Sequence, residues 1–418
     1  MTTTKRTHSL APYRSIQCIA LTCVLSVIAL EPRTAAAKSD FVPYGDITVE
    51  HNSNVFSAPS TGIAGITSLG DTISEFVAGV NSDFDWGQDS LKVNVEGRHF
   101  IYDHYSYLGH SEYTAGGVLD WHLGPVVESE LSYTQTHDAA NFADTLTTQL
   151  ELNTSKTGEA RFRILVTPEW RLQLIPREHE EDMPLPGFPD FHLRETWGSA
   201  SIEYLGVSKL TAGLQADYVS GEYRGIPDAT RYHQEAAEFT ATYKVTDKSD
   251  FSGNVGYTQR TSSPNESGSI GSVPGAPGNA GDIGDSATLT GQFGYHLNLT
   301  PKTEATLAVF RNIDSYVAGA NSEIGTGGSI GLKWSPDFRF TFDLSYRIEH
   351  DAIAGDVVLE NVTDRSDRLN SARFQVAYTA LRWLKLMAFV SHDDRSSNFA
   401  AAEYVDTIVG IQFDARFE

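Results

Sequence analysis

Cysteine is nearly missing from this chain. Its only two, Cys18 and Cys23, lie within residues 1–37. The remainder therefore has no disulfide, thiolate metal site or thiol nucleophile. Long apolar runs are also scarce. Ile16–Leu30 is the single one, whereas a polytopic helical protein needs repeated runs of roughly 20 apolar residues. Basic residues are few, with 31 Lys and Arg against 54 Asp and Glu and a net charge of −23. A nucleic-acid partner is excluded on that ground, because binding to phosphate backbones draws on clustered cations. Apolar residues at helical spacing are lacking as well.

Residues 1–37 read as a cleaved secretory signal peptide. Lys5, Arg6 and Arg14 form a positive n-region, Ile16–Leu30 the apolar core, and Ala35-Ala36-Ala37 the cleavage site. A signal-anchor helix is the alternative, and the alanine triplet and the polar sequence after Lys38 oppose it. The mature part, residues 38–418, is then exported and more acidic still.

That part is rich in Tyr (18), Phe (21) and Gly (35), too aromatic for a solvated disordered chain. Its apolar residues recur with period 2, the spacing that puts alternate side chains on opposite faces of a strand. Leu91, Val93 and Val95 alternate with Lys92, Asn94 and Glu96. Phe338, Phe340, Phe342, Leu344 and Tyr346 alternate with Arg339, Thr341, Asp343 and Ser345. Val405, Thr407, Val409, Ile411, Phe413, Ala415 and Phe417 form the longest such face.

Connections alternate too. Short turns near Gly87, Gly124-Pro125, Pro168, Ser208, Asp247, Pro301, Pro336 and Leu381 are separated by longer polar stretches such as 57–70, 183–190, 261–284 and 352–364. A soluble sandwich has no reason for this division, whereas a transmembrane antiparallel up-and-down β-barrel combines short periplasmic turns with long outer loops. About 18 strands are expected, with residues 146–166 open between one long strand and a loop plus a strand. Trp86, Trp121, Trp170, Trp334 and Trp383 sit at the short turns, Tyr204, Tyr243, Tyr295 and Tyr378 at matching strand ends, and Trp197 lies elsewhere. Amphipathic rings at one level predict an aromatic girdle on the periplasmic side. An even strand count places both mature termini in the periplasm of a Gram-negative cell. Phe417, one residue from the end, resembles the C-terminal signal read by the barrel-assembly machinery.

Catalysis is not expected. His-acid pairs such as Asp103-His104, His137-Asp138, His350-Asp351 and His392-Asp393-Asp394 end several strands. They could activate water as in omptin-like proteases, but a solvated polar rim accounts for them better in a wide lumen. No zinc-binding spacing of the H-E-x-x-H type and no calcium loop is present, so neither metal nor cofactor is expected. The inward parity places Arg98, Glu128, Glu130, Asp217, Glu238, Arg339, Asp343, Arg347 and Arg373 along the lumen, with Lys92, Glu96, Lys244, Glu304, Lys385, Asp406, Asp414 and Arg416, and the two signs nearly balance. Phe100, Tyr102, Phe310 and Phe389 share that parity near the outer end, where their faces could stack on sugar rings.

Three segments carry a family resemblance. Tyr44-Gly45-Asp46 with His51-Asn52-Ser53-Asn54-Val55-Phe56, then Tyr102 to Gly109, then Ala140-Asn141-Phe142-Ala143-Asp144 resemble the exopolysaccharide-biosynthesis outer-membrane proteins often called EpsL, in the β-barrel porin 2 group. The resemblance is motif-specific over residues 42–145 and rests on composition beyond them. It implies an outer-membrane exit for surface polysaccharide, docked to a periplasmic polysaccharide-export protein, with no catalytic residues. Two alternatives stand beside it, a diffusion porin for small neutral or cationic solutes and a non-transporting surface or adhesion barrel.

Overall fold

The computed structural model describes residues 38–417, apart from 64, 185–189, 226–229, 265–285, 317–320 and 355–363. The signal peptide lies outside the described residues. The first strands are β1 (Lys38–Asn52), β2 (Asp71–Trp86), β3 (Asp89–Tyr102), β4 (His110–Leu123), β5 (Val127–Ala139) and β6 (Leu152–Thr167). Next come β7 (Trp170–Asp182), β8 (His192–Val207), β9 (Leu210–Arg224), β10 (Thr230–Thr246), β11 (Ser249–Pro264) and β12 (Ser286–Thr300). The last are β13 (Thr303–Tyr316), β14 (Asn321–Trp334), β15 (Phe340–Ala354), β16 (Asp364–Leu381), β17 (Leu384–Ser397) and β18 (Tyr404–Arg416). One short helix, α1 (Phe142–Thr145), lies between β5 and β6.

Each strand pairs antiparallel with its sequence neighbours, and β1 pairs with both β2 and β18. The 18-stranded sheet is therefore a closed barrel. Closure leaves no unpaired edge, the condition a sheet must meet to cross a hydrocarbon layer. The open question at residues 146–166 resolves as a helix-bearing loop followed by a single strand.

The outward parity is apolar in a continuous band. Ile47, Val95, Leu214, Phe239, Val255, Leu289, Ile330, Leu344, Val409 and Ile411 are all exposed there. Such a surface has no place in water, whereas hydrocarbon solvates it. At the turn end, rings pack in pairs. Trp170 meets Tyr204 at 5.0 Å, Phe251 meets Tyr295 at 4.5 Å, Trp334 meets Phe342 at 5.1 Å, and Phe340 meets Tyr378 at 4.8 Å.

One expectation needs correcting. Phe338 and Arg339 lie in the turn between β14 and β15, not on a strand. Pro336 cannot extend the ladder, and the Asp337 carboxylate accepts hydrogen bonds from the backbone N–H of Phe340 at 2.9 Å and Arg339 at 2.8 Å. Those two donors hold the Asp337 carboxyl below the usual carboxylate range. The Arg339 guanidinium sits over the Phe338 ring at 5.3 Å, so Arg339 is a turn residue and leaves the lumen set.

Candidate functional site: the lumen and its mouth

Strand parity sends the polar half of each strand inward, and the pairing brings these side chains together. Arg98 meets Glu96 at 2.6 Å and Glu75 at 3.8 Å. Tyr44 of β1 lies over Gly79 and donates to Glu96 at 2.6 Å. Any side chain at Gly79 would occupy the space of that ring. Further round, Glu130 meets Arg161 at 3.3 Å, and Glu128 meets Arg163 at 4.0 Å. Asp217 accepts from Gln215 at 2.9 Å and from Ser199, and Glu238 accepts from Asn254 at 2.6 Å. Arg347 pairs with Glu349 at 2.7 Å, and Asp343 lies in register between Lys333 and Gln375.

The wall is more acidic than parity counting suggested. Glu50, Glu75, Glu112, Glu323, Asp351 and Asp367 share the inward rows and were absent from the predicted set. Arg161, Arg163, Arg171, Arg177, Arg260, Lys333, Arg365 and Arg395 join the same rows, but with Asp46, Asp71, Asp83, Glu203, Asp314 and Asp393 there too, carboxylates stay in excess.

The four rings proposed for sugar stacking all fall on the inward parity, and each has close partners. Arg347 covers Phe310 at 4.8 Å, and Gly327 abuts the same ring. Phe389 is buried between the Arg373 guanidinium, at 4.7 Å, and Gly410. Phe100 stacks on His110 at 4.8 Å with planes 16° apart, and Tyr102 lies 6.3 Å from the same imidazole.

Phe100 and Tyr102 also pack against a cluster no strand pattern announced. Residues 53–70 and 103–109 bring Val55, Phe56, Ala58, Tyr105 and Leu108 together with Ile73, all buried, with Phe142 and Leu150 against them. Phe56 sits edge-on to Tyr105 at 4.8 Å and to Phe142 at 5.6 Å. Asn54 fixes the base of this loop, donating to the backbone oxygens of Ala58 at 2.8 Å and Val405 at 3.1 Å. Buried apolar groups are the only large stabilising resource in such loops, at roughly 1.5–3 kcal/mol per fully buried large side chain.

From this cluster α1 reaches β17. Asn141 caps it, accepting from the backbone N–H of Ala143 at 2.9 Å. Arg395 of β17 donates to the backbone oxygen of Ala143 at 3.2 Å and meets Asp144 at 3.4 Å. In the ring, five of the eighteen strands, β18 and β1 to β4, stand between β17 and β5, so the contact bridges that arc at the outer mouth. Arg395 is anchored behind by Asp367 at 2.5 Å, which Arg365 also meets at 2.7 Å and Ser397 at 2.5 Å. Asp367 is 0% and Arg365 2% exposed. Two guanidinium groups sharing one buried carboxylate hold a latch that cannot easily be lost piecemeal.

A second inward cluster stands beyond it. Met183 and Phe191 pack with Leu193, Val219, Tyr223 and Tyr232. The Arg260 guanidinium lies 3.5 Å over the Tyr232 ring and donates to Ser315 at 3.1 Å, and Ser315 donates to Glu195 at 2.7 Å. Sequence reading missed Arg395, Asp367, Arg365, Arg260 and Glu195. The signal that could have found them was the apolar pairs Val55-Phe56 and Phe191-His192-Leu193 set in polar loops, which only an inward turn can bury. Among the described residues, no group of three or more His, Cys, Asp or Glu is placed to hold a metal ion.

No family model matches the chain, and no curated protein matches it. Several solved barrels are similar in the run of their chain. OccK2 (OpdF) of Pseudomonas aeruginosa is 11% identical, with 91% of this chain and 98% of that one covered and a TM-score of 0.49. OpdK of the same organism, with vanillate, is 12% identical, with 90% and 99% covered and a TM-score of 0.47. OccAB3 of Acinetobacter baumannii is 12% identical, with 91% and 100% covered and a TM-score of 0.45. At such identities and scores these likenesses say nothing about solute, and the closed barrel stands on its own strand pairing.

Proposed function

We propose that this protein is an outer-membrane diffusion channel for small polar solutes, neutral or cationic, and performs no catalysis. Its short turns and paired rings face the periplasm, and its long loops face outward. The observation that supports this reading is α1, tied to β17 by Arg395 at the outer mouth. A chain of linked sugars needs a continuous wide bore, whereas a tethered segment backed by an apolar loop cluster leaves room for small molecules beside it. The acidic wall favours cations, since carboxylates in a narrow aqueous space raise local cation concentration.

The polysaccharide-export reading, with its periplasmic partner protein, rests on the three resembling segments alone. Proteoliposomes separate the two. Mono- and disaccharides should enter and cause swelling, and dextrans should not. Deleting the gene should leave surface polysaccharide unchanged. Passage of dextran, or loss of surface polysaccharide with normal intracellular synthesis, would reverse the assignment in favour of export.

A further inference from the structure

The outward face carries a second repeating feature above its apolar band. Histidine recurs there on β1, β3 and β5 (His51, His99, His137), on β8 and β10 (His192, His233), and on β15 and β17 (His350, His392). Their heights can be read from register. In a tilted barrel, a line at constant height shifts by about one residue per strand, always in one direction.

The histidines follow that line. His51 faces Thr72 and His99 faces Phe76, a step down β2. His99 faces Ser111 and His137 faces Tyr113, a step down β4. His192 faces Arg224 and His233 faces Ser220, a step down β9. His350 faces Arg368 and His392 faces Ala372, a step down β16. His392 faces Thr407 and His51 faces Val409, a step down β18 that closes the circuit. These five steps all run toward the turn end, whereas from His137 through Thr154 and Asp182 to His192 the register does not shift, which sets His192 and His233 apart. On the arc from β15 through β1 to β5 the imidazoles therefore form a belt, at the outer edge of the band that Val49, Val95, Tyr133, Leu344 and Val390 occupy.

The chemistry is directional. His51, His99, His137 and His392 each turn Nδ1 to a neighbouring strand's hydroxyl, at 3.3 Å (Thr72), 2.9 Å (Ser111), 2.9 Å (Thr154) and 2.9 Å (Thr407). When that hydroxyl donates, the ring proton resides on Nε2 and points outward, a donor even in the neutral imidazole. Outward charges at this level differ around the ring. On β7 to β9, Glu178, Glu180 and Glu222 tie up Arg194, Arg224 and the Arg231 of β10. On the arc from β15 through β18 and β1 to β5, the belt's other outward charges are Arg368 and Asp394, and Lys156 of β6 is paired with Asp182 of β7 at 3.9 Å. In a chain of net charge −23, this arc thus shows imidazole donors with one cation and one anion beside them.

We propose that this arc binds the phosphate groups of outer-leaflet lipid headgroups, a phosphorylated glycolipid in particular. The proposal rests on the outer-membrane placement above and not on the solute, so channel measurements leave it standing or falling separately. The test uses the purified full barrel in neutral detergent, read by thermal unfolding and by lipid retention in native mass spectrometry. Bisphosphorylated lipid A should be retained and raise the unfolding temperature. The same glycolipid without phosphates, and inorganic phosphate alone, should do neither. Replacing His51, His99, His137, His350 and His392 by Phe keeps a ring at the interface and removes the donor, and should weaken retention by at least about tenfold. The pair His192→Phe and His233→Phe should leave it unchanged. Equal retention of the dephosphorylated glycolipid by the unaltered protein would overturn the proposal, as would full protection by inorganic phosphate or undiminished retention by the five-site variant.

Discussion

The two ends of this barrel are built from the same strands and solve different problems. At the turn end, connections are too short to fold, and stability comes from rings paired across strands, such as Trp334 on Phe342 and Trp170 on Tyr204. At the loop end, long connections must repay their own ordering entropy. They do so by turning inward, where Phe56, Tyr105, Leu108 and Phe142 make a small core and Arg395 fastens α1 to β17. One end is therefore built from paired rings and the other from a folded loop core.

Substitutions should separate the ends by size of effect. Asp367→Ala leaves the Arg365 and Arg395 guanidinium groups without their shared carboxylate, and breaking a buried pair costs about 3–5 kcal/mol. Limited proteolysis should then cut residues 140–151 while the barrel stays folded, and an uncut loop would show the latch to be dispensable. Leu214→Arg or Leu344→Arg puts a cation into the hydrocarbon band, at roughly 2–4 kcal/mol, and should suppress assembly seen as a heat-modifiable gel shift. Gln215→Ala or Asp343→Ala, on the opposite parity, should assemble normally. Equal behaviour of the two sets would mean the faces are misassigned.

Smaller effects are expected at the turn end. Trp334→Ala removes one stacked pair worth about 0.5–1.5 kcal/mol beyond its area, and denaturant midpoints should fall slightly without change in conductance. The orientation itself can be read with single cysteines, since residues 38–418 contain none. Thr61→Cys should react with an impermeant maleimide on intact cells, and Lys248→Cys should not. Reversal of that pattern would turn the barrel over.

The wall was legible in the sequence because a strand declares itself locally. Val405 to Phe417 alternates apart from Thr407 and Ile408, and prolines and glycines punctuate the turns. Legibility failed where a turn holds residues of strand-like pattern. Phe338 and Arg339 keep the period of β15, yet the Asp337 carboxylate caps them into the turn. It failed again at the outer mouth. Arg395 sits in a string of polar residues, His392-Asp393-Asp394-Arg395-Ser396-Ser397, that reads as a solvated rim. Its partner Asp144 lies far away in sequence, and only closure of the ring brings the two together. The stacking rings illustrate the same limit. Their inward parity could be read from alternation, whereas the guanidinium and imidazole groups against them depend on neighbouring strands.

Single-channel recording in planar bilayers tests the central claim most directly, comparing the unaltered protein with Arg395→Ala and with α1 replaced by a short glycine-serine linker. A barrel narrowed by a tethered segment should give small, cation-preferring conductance that rises stepwise in both variants. Its reversal potential in a salt gradient should keep the cation sign, and the preference should weaken as ionic strength rises. Unchanged conductance in both variants, or an anion preference in the unaltered channel, would contradict it.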